Sequence, residues 1–145
     1  MIRRATADDL ARIAEIRIFN YRMYFYPIFG SDIYYFCELQ VPSLTEYFAG
    51  ELDRLYVYDD GAVKGYVMIN GTEVVNLFVE PVLHGKGIGS ALLEFAVREH
   101  GADHLWVLGK NRDAIRFYER HGFRLTPEKK PEDGTSEFLI MMRRT

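Results

Sequence analysis

A single cysteine, Cys37, stands in the chain of 145 residues, so no intrachain disulfide can form and a reducing compartment suits it. No apolar run reaches the ~18 residues needed to span a bilayer. The first residues, MIRRATADDL, lack the apolar segment of a secretory signal. Neither sign of charge dominates: 18 Lys and Arg face 21 Asp and Glu, a net charge of −3, which gives no general attraction to nucleic acid. Histidines are few, and His100, His104 and His121 show no metal-ligand spacing with one another or with carboxylates. These absences lead to the expectation of a cytoplasmic protein of one domain, residues 1–145, with no metal, nucleic-acid or membrane partner.

What is present describes a folded chain, with 48% hydrophobic and 27% charged residues. Ile2–Ala5 reads as a short strand. Thr6-Ala-Asp-Asp9 reads as a helix start, because the Thr hydroxyl can accept an orphan N–H and the acids oppose the positive helix end. Ser31 is a candidate cap for a second helix, and Ser43-Leu-Thr-Glu46 has a capping-box pattern for a third. From Leu55 the period changes. LYVYDDGAVKGYVMI is two strands around Asp60-Gly61, Asn70-Gly71 is a second hairpin turn, and TEVVNLFVEP is a third strand closed by Pro81. A helix with Ile88, Ala91, Leu92, Phe95 and Ala96 on one face follows. HLWVL is then a strand, NRDAIRFYERHGF a helix ended by Gly122, and FRL and EFLIMM the last strands. The order implies a mixed α/β fold, a mostly antiparallel sheet of about six to seven strands with helices on both faces.

Two stretches carry functional information. In FNYRMYFYPIFGSDIYYF, residues 19–36, nine of eighteen residues are Phe or Tyr, with Pro27 and Gly30 breaking the run. In VEPVLHGKGIGSALLEFA, residues 79–96, Gly85, Gly87 and Gly89 lie between a strand and a helix. Glycines let backbone approach an anion, and a helix start supplies unpaired N–H groups, so a phosphate is the natural guest. Lys86 is followed by Gly87 and Ile88, which excludes GxxxxGK[ST]; the third glycine of GxGxxG is also missing.

The loop His84-Gly-Lys-Gly87-Ile-Gly89 resembles motif A, (Q/R)xxGx(G/A), of the GNAT N-acetyltransferase superfamily, with His84 where Gln or Arg is usual. Asn111-xx-Ala114-xxx-Tyr118-xxx-Gly122-Phe123 resembles its motif B, and Leu77–Pro81 resembles the end of its central strand. The similarity is strong across residues 62–124. It implies transfer of an acetyl group from acetyl-coenzyme A to a small-molecule or peptide amine that attacks the thioester directly. A non-catalytic acyl-coenzyme A binding or sensing module on the same fold is the alternative. The family also contains many homodimers.

The resemblance assigns roles by position. The Leu77 N–H would hold the thioester carbonyl oxygen, and Phe78 and Val79 would form an edge for the pantetheine arm. His84, Gly85, Lys86, Gly87, Ile88, Gly89 and Ser90 would surround the pyrophosphate. Asn111 would orient the cofactor's amides, or else cap its helix. Tyr118 would donate to the leaving thiolate. Glu73, eleven residues before His84, matches the glutamate base of the histone-type members. The aromatic stretch would border the acceptor, with Tyr24, Tyr26, Phe29 and Tyr34 as a wall or lid. Cys37 matches no motif and reads as a small buried hydrophobe on a helix.

Overall fold

The computed structural model describes residues 1–145. Seven strands form one sheet, β1 (Ile2–Arg4), β2 (Leu55–Asp59), β3 (Val63–Asn70), β4 (Glu73–Val79), β5 (His104–Leu108), β6 (Phe123–Pro131) and β7 (Phe138–Arg144). Their order is β1-β2-β3-β4-β5-β7-β6. Every pairing is antiparallel except β4 with β5. The helices are α1 (Leu10–Asn20), α2 (Tyr26–Phe29), α3 (Val41–Ala49), α4 (Ile88–His100) and α5 (Arg112–Arg120).

Residues 65–69 of β3 are buried because they divide between two cores. Successive side chains leave a strand on opposite faces. Val67 and Ile69 pack with Leu92, Leu93 and Ala96 of α4. Tyr66 and Met68 pack with Ile13 and Ile16 of α1 and Phe48 of α3. Phe48 is fully buried, and truncating such an aromatic costs about 3–5 kcal/mol. Arg3 fastens the sheet edge to the start of α1, binding Asp9 at 2.8 Å and Asp59 at 3.0 Å.

The aromatic stretch follows α1 without a break. Residues Tyr21–Phe25 and Ile33–Glu38 wind as π-helix on either side of α2, and Gly30 takes φ 68° to end that turn. Widened turns of this kind change which side chains face inward. Here Tyr35 is buried with Ile18 and Leu39 in a third small core. Cys37 is exposed, which corrects the expectation of a buried thiol.

Other local readings shift as well. Helix α3 begins at Val41 with Pro42 in its first turn, before the expected Ser43 cap. The Ser43 hydroxyl instead donates to the Gln40 carbonyl at 3.0 Å. Strand β6 runs beyond the expected FRL to Pro131, so Glu128, Lys129 and Lys130 lie within it, and Glu132 and Asp133 belong to the turn before the last strand. No helix is long and apolar enough to cross a membrane.

Candidate active site

β4 and β5 are joined through only two residue pairs, Glu73 with His104 and Val74 with Leu105. Beyond them the strands part, leaving Asn76–Val79 without a partner on the β5 side. The free groups there follow from strand geometry. The Glu80 N–H donates to the Lys64 carbonyl at 2.9 Å, toward β3. Successive N–H groups point to opposite edges, so Phe78 also faces β3, whereas Leu77 and Val79 face the gap. The Val79 carbonyl bears this out: it accepts from Asn20 Nδ2 at 2.8 Å and from His84 Nε2 at 2.9 Å. Both its lone pairs are therefore in use, and Val79 offers the gap only an N–H.

A cleft of about 540 Å³ opens from this gap toward the glycine loop, lined by Leu77, Gly85, Gly87, Ser90, Asn111 and Tyr118 among others. Gly85 and Gly87 take φ 82° and 85°, a region that costs other residues roughly 1–2 kcal/mol. No heavy atom lies within 4 Å of where their side chains would begin, so the backbone stands open to the cleft. Gly89 differs: its φ is ordinary, and a Cβ there would make a normal van der Waals contact with Phe117 Cζ at 3.4 Å. The first intrahelical bond of α4 runs from the Ala91 N–H to the Gly87 carbonyl at 3.0 Å. The N–H groups of Ile88, Gly89 and Ser90 precede it and are left for a guest. Open amides, left-handed glycines and a positive helix end fit a diphosphate.

A second cleft, of about 700 Å³, meets the first at Phe25, Leu77, Phe78, Asn111, Ala114 and Tyr118. Its walls come from α1, the aromatic stretch, β4, β5 and the β6–β7 turn. Tyr118 thus borders both spaces. Burial pushes its phenol up to about 12, so it stays protonated across the neutral range.

Residues 51–125, about half of the chain, match the family model of the acetyltransferase (GNAT) domain. The chain belongs to the GNAT acetyltransferase family. It is 28% identical over 126 residues to the peptidyl-lysine N-acetyltransferase YiaC of Escherichia coli (strain K12), an alignment covering 86% of this chain and 84% of that protein. It is 31% identical to the uncharacterized N-acetyltransferase MJ1207 of Methanocaldococcus jannaschii, over 84% of this chain but only 59% of that one. Among solved structures, apo YjaB from Escherichia coli superposes with a TM-score of 0.77 at 20% identity, covering 100% of this chain and 97% of that one. The PaiA N-acetyltransferase of Thermoplasma acidophilum, in complex with coenzyme A, gives 0.76 at 21% identity, covering 100% and 98%.

Seen as a GNAT acetyltransferase, the chain brings together most of the expected donor residues. Leu77, Phe78, Val79, His84, Gly85, Gly87, Ile88, Gly89, Ser90, Asn111 and Tyr118 all line the first cleft. Two are engaged in ways the sequence did not suggest, His84 and Ser90, and a third, Asn111, takes the capping role that the sequence also offered. The imidazole of His84 is held between the Val79 carbonyl and the Tyr24 hydroxyl, and its backbone N–H goes to Pro81 O at 3.3 Å. A carbonyl only accepts, so in the neutral ring Nε2 carries the proton and Nδ1 accepts from Tyr24. Ser90 Oγ bonds His121 Nε2 at 3.0 Å. Asn111 does cap α5, accepting from the Ala114 N–H at 3.2 Å, and still borders both clefts. Lys86 is exposed and lines neither cleft.

The predicted aromatic wall divides. Phe29 and Tyr34 line the second cleft, whereas Tyr24 lines the first. Tyr26 lines neither: its hydroxyl donates to Asp32 at 2.6 Å and its ring packs on Tyr35. Glu73 lines the second cleft, four residues from Leu77 along β4, roughly 13 Å away at strand rise. Sequence reasoning missed Tyr21, Phe25 and Tyr35 in that wall, and it missed Arg17.

Arg17 lies on α1 against the rings of Tyr21, Phe48 and Tyr47, at 4.8, 5.5 and 5.8 Å. Its Nε and Nη1 are sealed from solvent without a hydrogen-bond partner. The phenols of Tyr21 and Tyr66 are close neighbours, but neither meets hydrogen-bond geometry with those two nitrogens. Ring contacts of this type supply about 0.5–2 kcal/mol, against several kcal/mol for taking a charge out of water. The guanidinium is under-compensated.

Proposed function

We propose that residues 1–145 form one N-acetyltransferase domain that moves an acetyl group from acetyl-coenzyme A to a primary amine, with both substrates bound together. The observation that carries this reading is the junction of the two clefts at Leu77 and Tyr118, in the gap where β4 leaves β5. A donor entering from the glycine loop and an amine entering past the aromatic stretch meet there and nowhere else.

Acetyl-coenzyme A supplies an activated acetyl group, and the chain supplies placement and charge. The amides of Ile88, Gly89 and Ser90 hold the diphosphate. The Val79 N–H orients the pantetheine arm. The Leu77 N–H is a fixed donor for a carbonyl oxygen gathering negative charge. Tyr118, protonated up to about 12, gives a hydrogen bond or proton to the departing sulfur. Glu73, which lines the same cleft as Leu77, takes the amine's proton directly or through water. Cys37 lies outside both clefts, which agrees with direct attack in place of an acyl-enzyme.

An assay of thiol release from acetyl-coenzyme A, run across amino acids, small amines and lysine peptides, tests the proposal. Release with at least one amine class supports it. Tight donor binding with no release from any amine would instead favour a sensing module.

A further inference from the structure

The acceptor cleft holds a cation that the chain leaves unanswered. Arg17 lines it together with Tyr21, Phe25, Tyr34 and Phe78. No carboxylate lies within ion-pair distance of Arg17, and the three that line the same cleft, Glu73, Glu132 and Asp133, pair with no basic side chain. Its titratable neighbours are four phenols, those of Tyr21, Tyr66, Tyr47 and Tyr34. Nε and Nη1 are sealed beneath the rings. Nη2 is not sealed, and the phenols of Tyr21 and Tyr66 stand beside the group.

A buried charge is tolerated when something pairs with it, and truncation of its partner is expensive for that reason. Here the partner is missing from the chain while the cation borders a cleft. With Nε and Nη1 sealed, the open Nη2 can give a carboxylate one charge-assisted hydrogen bond. Arg17 also sits at a useful place. Its guanidinium rests on the Tyr21 ring, and that ring touches Phe78 at 5.7 Å, next to Leu77. The charge therefore lies within two contacts of the junction where the amine must react.

We propose that Arg17 is the anchor for a carboxylate on the acceptor, so the substrate class is a small amine that also carries a carboxylate, of the amino-acid type. This rests on the acetyltransferase reading above and narrows its acceptor. The ring wall takes the apolar part of such a molecule, and Arg17 fixes the end opposite the amine. Glu132, from the β6–β7 turn, lines the same cleft and faces Tyr21 and Tyr35. A swing of Glu132 onto Arg17 is the rival occupant of the site.

Calorimetric titration of the protein–coenzyme A complex tests this without requiring turnover. L-Phenylalanine, β-alanine and 4-aminobutyrate are each compared with the corresponding carboxamide. The expected result is that at least one acid binds about ten-fold or more tighter than its amide, and that Arg17→Met removes the difference while Arg17→Lys keeps part of it. The wild-type comparison stands even if the Met variant does not fold. Equal binding of acid and amide, no binding of any acid, or an acid preference that survives in Arg17→Met would overturn the proposal. A lysine peptide with a blocked C-terminus binding better than every acid would also overturn it. Failure of acetyl transfer shows itself separately, as an acid that binds with no thiol released.

Discussion

The Tyr24 hydroxyl and His84 Nδ1, sixty residues apart in the chain, lie 3.1 Å from each other with their rings stacked at 5.5 Å. This contact ties the aromatic stretch to the loop that opens the donor cleft. It also fixes the imidazole so that Nε2 holds the Val79 carbonyl. Tyr24→Phe removes one exposed hydrogen bond, worth about 0.5–1.5 kcal/mol, so the acetyl-coenzyme A Kd rises by about two- to ten-fold with little change in Tm. Because the two side chains act as a unit, Tyr24→Phe adds almost nothing in a His84→Ala background. Calorimetry on the four proteins of this cycle checks it; strictly additive effects would remove the tie.

Tyr118→Phe keeps the ring and removes the donor. The expected outcome is a fall in kcat of about a hundred-fold, with acetyl-coenzyme A KM within a few-fold of the wild type. The wild-type rate shows no descending limb from this group below about pH 12. Stability carries the matching sign. The folded value lies above the ordinary 10.0, so the folded state keeps a proton that the unfolded chain releases. That contribution is present below pH 10 and fades as pH climbs toward 12. Tyr118→Phe should flatten this alkaline decline in denaturant titrations.

Glu73→Gln separates a base from a strand-edge carboxylate. If Glu73 accepts the proton directly or through water, kcat/KM falls and the acidic limb of its pH profile disappears. Donor affinity is unchanged, since Glu73 lines only the acceptor cleft. An unaltered profile would remove Glu73 from the chemistry.

Phe29 and Tyr26 have different fates despite lying three residues apart. Phe29→Ala takes a ring from the acceptor cleft and raises acceptor KM several-fold. Tyr26→Ala takes a ring from the packing around Tyr35 and lowers Tm without changing acceptor KM. Parallel changes in both variants would contradict this division.

The contrast shows what was legible in the sequence. The strands, α4, α5 and the glycine loop could be read because alternation, helical spacing and hairpin turns are local signals. The motif positions Leu77, Asn111 and Tyr118 lie on one cleft. The aromatic stretch could not be divided in advance, because its π-helical turns shift the side-chain period away from 3.6 residues. That shift buries Tyr35, exposes Cys37 and leaves Tyr26 outside the cleft. The engagement of Val79 O by Asn20 was hidden for another reason: it joins segments 59 residues apart. Arg17 was hidden because an arginine on an amphipathic helix ordinarily reads as a solvated residue. Only its burial against aromatic rings without an ion pair, a three-dimensional fact, singles it out.

A crystal structure with acetyl-coenzyme A tests the central claim most directly. The account predicts the diphosphate about 3 Å from the amides of Ile88, Gly89 and Ser90. It predicts the pantetheine arm in the gap between β4 and β5, the thioester oxygen on the Leu77 N–H, and the sulfur beside the Tyr118 hydroxyl. A pantetheine arm lying outside that gap, or a thioester oxygen turned away from Leu77, would contradict it.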